Sequence, residues 1–155
     1  MMIVGHGVVE RQVRGPESAD GEPEQVTVVV RRYRCRTCGV VLMVGPRGLV
    51  RGRWYGAGAI GLAFSLFASG ATSRGVRARV SPSREVGGSA TERWVTLTRW
   101  LEAARHGELF GVVGLDGHGG RAVAERVTQV LAARGGHKRG DDWAGAVFRG
   151  AVIAS

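Results

Sequence analysis

With 155 residues, the chain is long enough for one domain or two very small ones and too short for a large two-lobed enzyme. Hydrophobic residues make up 44% but aromatics only 6%, and 26 glycines interrupt the chain, so a small core with many loops is expected. A net charge of +9 draws polyanions by releasing their counterions and puts nucleic acid first among partners. The competing source of that charge is GC-rich codon usage, since Lys138 is the only lysine and Arg, Gly, Ala and Val are all in excess.

The start, Met1 to His6, has no basic segment followed by a long apolar one, so a cytoplasmic location is expected. The longest apolar stretch, Ala57 to Ala71, is too short to span a bilayer and is broken by Ser65 and Ser69; it reads as a buried helix, and no membrane association is expected. Two cysteines spaced C-x-x-C point to metal or redox chemistry rather than a disulfide framework.

In chain order, residues 3–14 carry β-branched side chains and predict a strand, followed by a polar turn from Gly15 to Pro23. Val26 to Arg34 is the clearest strand; it runs into Cys35 and Cys38, and Val40 to Val44 leaves on the other side. From Ala57 the period changes, with Ile60, Ala63, Phe64 and Phe67 on one helical face until Gly70. Thr72 or Ser73 then caps a short helix over residues 74–80, which Ser81-Pro82 ends. Ser89 to Glu92 matches an S-x-x-E capping box, predicting a third helix over 90–105 with Trp94, Leu97, Leu101 and Ala104 on one face. A Gly-rich stretch separates this from a helical pattern at 121–134, and a weaker segment at 141–154 closes the chain.

Cys35-Arg36-Thr37-Cys38-Gly39 has the form of a zinc knuckle. Two residues between the thiolates let both sulfurs face one ion, and the glycine permits a turn that aims amides at sulfur. A closed tetrahedral site needs two more donors; His6, beside the first strand, is the best placed, with His106, His118, His137 or a second chain as alternatives. A redox reading fits less well, because a thioredoxin-like CxxC opens a helix, whereas strand residues follow here.

The order Gly5-His6-Gly7, Arg11, Val13 to Pro16, Arg31 to Gly39, Pro46-Arg47 and Tyr55 to Ile60 resembles the zinc-ribbon plus helix-turn-helix proteins found with bacterial insertion-sequence transposases, over residues 5–101. The resemblance implies a ribbon-like β region, a DNA-binding helical region and a role in transposition. In such proteins an earlier CxxC completes the zinc site, and this sequence lacks it.

The helices at 57–69, 73–80 and 90–105 are expected to pack as a trihelical unit around Ile60, Phe64, Phe67, Val76, Val80, Trp94, Leu97 and Leu101. Arg74, Arg77 and Arg79 on the short helix, with Arg93 and Arg99 on the long one, then suit phosphates or guanine edges, and Thr96 and Thr98 suit groove contacts; a solvated basic surface is the plainer alternative. The segment Thr96 to Trp100 resembles the end of a transposase recognition helix, which implies a core tryptophan and an arginine facing DNA.

Gly56-Ala57-Gly58-Ala59-Ile60-Gly61 matches G-x-G-x-x-G, but the preceding stretch carries Arg51 and Arg53 rather than an apolar strand, and no βαβ unit follows. Asp116 and His118 are close enough for an acid/base or metal pair, yet Asp116, Asp141 and Asp142 lie in Gly-rich segments and read as loop and cap residues.

The expected fold is α+β: a zinc-ribbon-like β region at 1–50, a helix-turn-helix region at 51–107, and a Gly-rich linker with a weakly packed helical tail at 108–155. The expected function is binding of double-stranded DNA in connection with transposition, without catalysis, through Arg74, Arg77, Arg79, Arg93, Thr96 and Arg99. Zinc on Cys35, Cys38 and His6 and a transposase or second copy as partner accompany it; a non-catalytic interaction module or mobile-element remnant is the alternative, and a hydrolase using Asp116 and His118 ranks last.

Overall fold

β-branched residues cluster in three runs within the first 44 positions, and in the computed structural model, which describes residues 2–83, 93–138 and 142–155, these runs form a sheet. β1 (Ile3–Gly15), β2 (Glu24–Cys35) and β3 (Val41–Val44) pair antiparallel in the order β1-β2-β3. The register sets Val9 opposite Val30, Arg11 opposite Val28 and Val13 opposite Val26. With a side-chain period of two, Val13, Val26, Val28 and Val30 share the partly covered face, and Val8, Gln12, Thr27 and Val29 share the open one.

The sheet is joined to the helices at its Gly15 end. The N–H of Arg14 donates to the Trp54 carbonyl at 2.7 Å, and the N–H of Gly56 donates to the Arg14 carbonyl at 3.1 Å. Gly15 has φ +114°, and a Cβ there would lie 2.3 Å from the Cβ of Ala59, so only glycine lets the strand end pass this close.

Five helices follow: α1 (Ala57–Ala68), α2 (Ser73–Val80), α3 (Val95–Arg105), α4 (Gly120–Arg134) and α5 (Trp143–Ile153). α1 is apolar on nearly every side and is correspondingly central, packing against α2, α4 and α5. Its glycines serve that packing. A Cβ on Gly58 would lie 2.4 Å from the Phe148 ring, and one on Gly61 would lie 2.8 Å from the Cβ of Ala151, so the G-x-G-x-x-G pattern marks the close approach of α5.

The α+β organisation agrees with expectation, and two finer expectations need correction. α4 and α5 are not a weakly packed tail: Val123, Val127, Leu131, Ala146, Val147 and Ala151 are buried in the same apolar cluster as Ile60 and Phe64. The Gly-rich connection before α4 also contributes Leu109, Phe110, Val112 and Leu115 to that cluster. The apolar faces of α4 and α5 are covered by α1 and by each other.

The other correction concerns the third helix. Trp94 is its N-cap, in an extended conformation, and the helix begins at Val95. The capping box from Ser89 to Glu92 lies outside the described residues. Trp94 is held instead by edge-to-face contacts, 5.8 Å from Tyr55 and 5.1 Å from Trp100 between ring centroids. Among the described residues no helix is long and apolar enough to cross a membrane.

Candidate nucleic-acid interface

α2 begins after Thr72, whose side chain accepts the N–H of Gly75, and follows α1 after only residues 69–72, with Gly70 at φ +105° making the reversal. Val76 and Val80, four residues apart, turn one face of α2 inward. Arg74 is left exposed, and Arg77 is half-buried. On α3, Leu97, Trp100, Leu101 and Ala104 face the core, which leaves Thr98 and Arg99 exposed and Thr96 half-buried; Arg93 is exposed just before the helix.

The starts of these two helices are brought together by one hydrogen bond, from the main-chain N–H of Trp94 to Ser73 Oγ at 2.9 Å. Neither helix has an acidic residue in its first turn. No acid within either first turn offsets the partial positive charge of these helix ends, and Arg74 and Arg93 stand beside them. The nearest acid on α3, Glu102, is engaged by Arg105 at 2.7 Å.

Arg79 has a different place. Its guanidinium donates to the main-chain carbonyls of Ala19 and Gly21, tying the β1–β2 connection to α2. The expectation that it reaches DNA is thus replaced by an internal role: both terminal nitrogens are committed to carbonyls within the chain.

Residues Cys35 to Gly39 form a tight turn. The N–H of Gly39 donates to the Cys35 carbonyl at 2.9 Å, the N–H of Cys35 donates to the Val40 carbonyl at 2.9 Å, and Gly39 takes φ +75°. Cys35 is buried and Cys38 exposed, both as free thiols. Main-chain N–H groups of Cys38 and Thr37 directed at the Cys35 sulfur lower its pKa from the usual thiol value. His6 is not brought to this pair. Cys35 is opposite Ile3, and His6 lies three residues further along β1 in the irregular stretch between Gly5 and Val8, roughly 10 Å away at strand spacing. Donors to one zinc ion lie within about 4 Å of one another. Among the described residues no group of three or more His, Cys, Asp or Glu is placed to hold a metal ion. Two thiolates fit half of a zinc site and no more.

Of the remaining polar candidates, His118 Nδ1 lies 3.2 Å from the main-chain carbonyl oxygen of Asp116, with no hydrogen bond to its carboxylate. Asp142 caps α5, accepting from the N–H groups of Ala144 and Gly145. Asp141 lies outside the described residues.

Arg47, Arg51 and Trp54, which have no role in the expected interface, are all exposed on the turn between β3 and α1. The signal that would find them is the run of arginines interleaved with an aromatic residue from Pro46 to Tyr55. No family model matches the chain, and neither a curated protein nor a solved structure does.

Proposed function

We propose that the protein binds double-stranded DNA through the paired starts of α2 and α3. The observation that carries this reading is the Ser73–Trp94 hydrogen bond, which sets side by side two helix N-termini with no acid in their first turns, with Arg74 and Arg93 exposed next to them. Phosphates are bound by such helix ends and by arginine. Arg99 and Thr98, exposed on α3, with Thr96 half-buried beside them, are then the candidates for contacts deeper in a groove, and Arg77 supports the α2 side. The resemblance to transposase-associated proteins extends the reading to a role in transposition, beside a transposase and without catalysis by this chain. Cys35 and Cys38 supply two donors for zinc, and DNA binding as proposed routes no step through a metal.

Fluorescence anisotropy on a labelled 25-base-pair duplex at several salt concentrations tests the reading. Arg74→Glu and Arg99→Glu together are expected to weaken binding and to reduce the slope of log K against log salt by about 0.9 for each phosphate no longer neutralised. Binding that is undetectable, or that has the same slope in wild type and variant, overturns it.

A second reading has its own observation. Val40, Val41, Leu42, Met43 and Val44 are each 44–64% exposed, and β3 is an edge of the sheet. An apolar, unpaired edge suits addition of a strand from a partner protein. Arg32 and Arg34 alternate opposite β3 on its neighbour β2, which makes an acidic partner strand the better match.

A further inference from the structure

The sheet carries a second basic surface, away from α2 and α3. Between the sheet and the turn at 45–54 lies an open groove of about 1320 Å³. Four arginines, Arg11, Arg47, Arg51 and Arg53, line it against one acid, Glu10, beside an apolar wall that includes Val30, Leu42, Met43 and Leu49. Two of the four have internal work. Arg11 donates to the carbonyls of Val50 and Arg53, and Arg53 lies 3.9 Å from Glu108. Arg47 and Arg51 are exposed and have no hydrogen bond or ion pair from their guanidinium groups among the described residues.

The turn that presents them is anchored along its length. Gly48 donates to Ser155 Oγ at 2.9 Å, Ala57 donates to the Gly48 carbonyl at 2.7 Å, and Arg11 grips Val50 and Arg53. At its end is Trp54, whose carbonyl accepts from Arg14 N–H and whose ring has the Arg14 guanidinium 5.2 Å from its centroid. Trp54 remains 58% exposed. A costly exposure of indole is thus combined with a fixed backbone and two unengaged cations.

We propose that this groove binds a single-stranded DNA segment, with Arg47 and Arg51 on its phosphates and Trp54 stacked on a base. This rests on the reading of the protein as DNA-binding and adds to it a strand-separated substrate. Charge selects the occupant. A second copy of the chain brings the same positive lining and is repelled, whereas a polyanion releases counterions on entry. An exposed indole has no use for duplex bases, which are hidden in their own stack, but stacks readily on unpaired ones.

The test uses the full chain with a 15-residue oligothymidylate. Trp94 and Trp100 are buried, so in a Trp143→Phe background the fluorescence response is carried by Trp54. Oligothymidylate is expected to quench that emission, Trp54→Ala is expected to weaken binding about tenfold or more, and Arg47→Glu with Arg51→Glu is expected to reduce the salt slope by about 1.4. The paired arginine variant, checked by circular dichroism, keeps the test valid if Trp54→Ala fails to fold. Absence of quenching, or quenching with an unchanged salt slope in the paired variant, overturns the proposal. If duplex binding depends on Arg74 and Arg99 while oligothymidylate is ignored, this inference fails and the duplex reading stands. Quenching with the reduced slope but without duplex binding supports the groove and overturns the duplex reading.

Discussion

Ser73 Oγ accepts the main-chain N–H of Trp94 at 2.9 Å, joining residues 21 apart at the first turn of α2 and the cap of α3. Trp94 is itself 8% exposed, so its N–H has little access to water as a substitute partner. Ser73→Ala is therefore expected to cost about 1–3 kcal/mol in urea unfolding, and to lower duplex affinity more than an exposed substitution away from the interface such as Gln129→Ala on α4. Equal duplex affinity in wild type and Ser73→Ala would separate this hydrogen bond from DNA binding.

Arg79 and Arg74 are on the same short helix but are predicted to behave differently. Arg79→Ala removes two hydrogen bonds to the β1–β2 connection and is expected to lower stability by about 1–3 kcal/mol while leaving the salt slope of duplex binding unchanged. Arg74→Ala is expected to do the reverse, with stability within about 0.5 kcal/mol of wild type and a smaller slope. Chemical denaturation and anisotropy on the same two variants check both halves.

Tyr55 and Ser81 share a buried hydrogen bond of 2.8 Å between their hydroxyls. Removing either partner leaves the other unsatisfied, so Tyr55→Phe and Ser81→Ala are each expected to cost about 1–3 kcal/mol. The double variant should cost less than the sum, because no orphaned hydroxyl remains. A strictly additive result in thermal unfolding would mean that the bond contributes nothing.

α4 and α5 meet at glycine. A Cβ on Gly150 would fall 1.8 Å from the Leu131 carbonyl oxygen, and one on Gly135 would fall 1.9 Å from that of Ala146. These contacts are with main chain, which cannot rotate away as a side chain can. Gly150→Ala is expected to destabilise by about 3 kcal/mol or more, read as a lowered midpoint in urea. A change smaller than about 1 kcal/mol would mean that the two helices separate easily.

The Cys35 thiol is expected to ionise below the usual thiol value of 9.0 in the folded chain, because the N–H groups of Cys38 and Thr37 favour the thiolate. The sign follows from linkage. A group whose pKa is depressed by folding contributes stability above its unfolded value, and that contribution is lost as pH falls through the folded one. Thiolate absorbance in a Cys38→Ser variant isolates Cys35, with urea restoring the ordinary midpoint. An unchanged midpoint on unfolding would show that the N–H groups do not reach the sulfur.

Period and punctuation made most elements legible. Val26 to Arg34 lies inside β2, and the apolar spacing of Ile60, Phe64 and Phe67 together with Gly70 matches α1 almost residue for residue. The start of α3 was not legible in this way. A nearby capping box competes in the sequence with a tryptophan whose position depends on Tyr55, 39 residues earlier, and no local rule weighs the two. The candidate interface was legible as a set of arginines and not as a surface. Arg74 and Arg79 are five residues apart on one helix; solvent exposure of one and carbonyl contacts of the other depend on where residues 19–21 are placed.

The sequence by itself determined the order of elements, the turn after Cys35 with its left-handed Gly39 and the positive charge, because each depends on residue type or on spacings within one element. Tertiary structure alone decided that α4 and α5 complete the core of α1, that His6 stays apart from the cysteines, and that Arg79 is engaged within the chain while Arg74 is exposed. Those outcomes depend on contacts between residues distant in the chain, where packing and hydrogen-bond satisfaction choose among side chains that local pattern leaves equivalent.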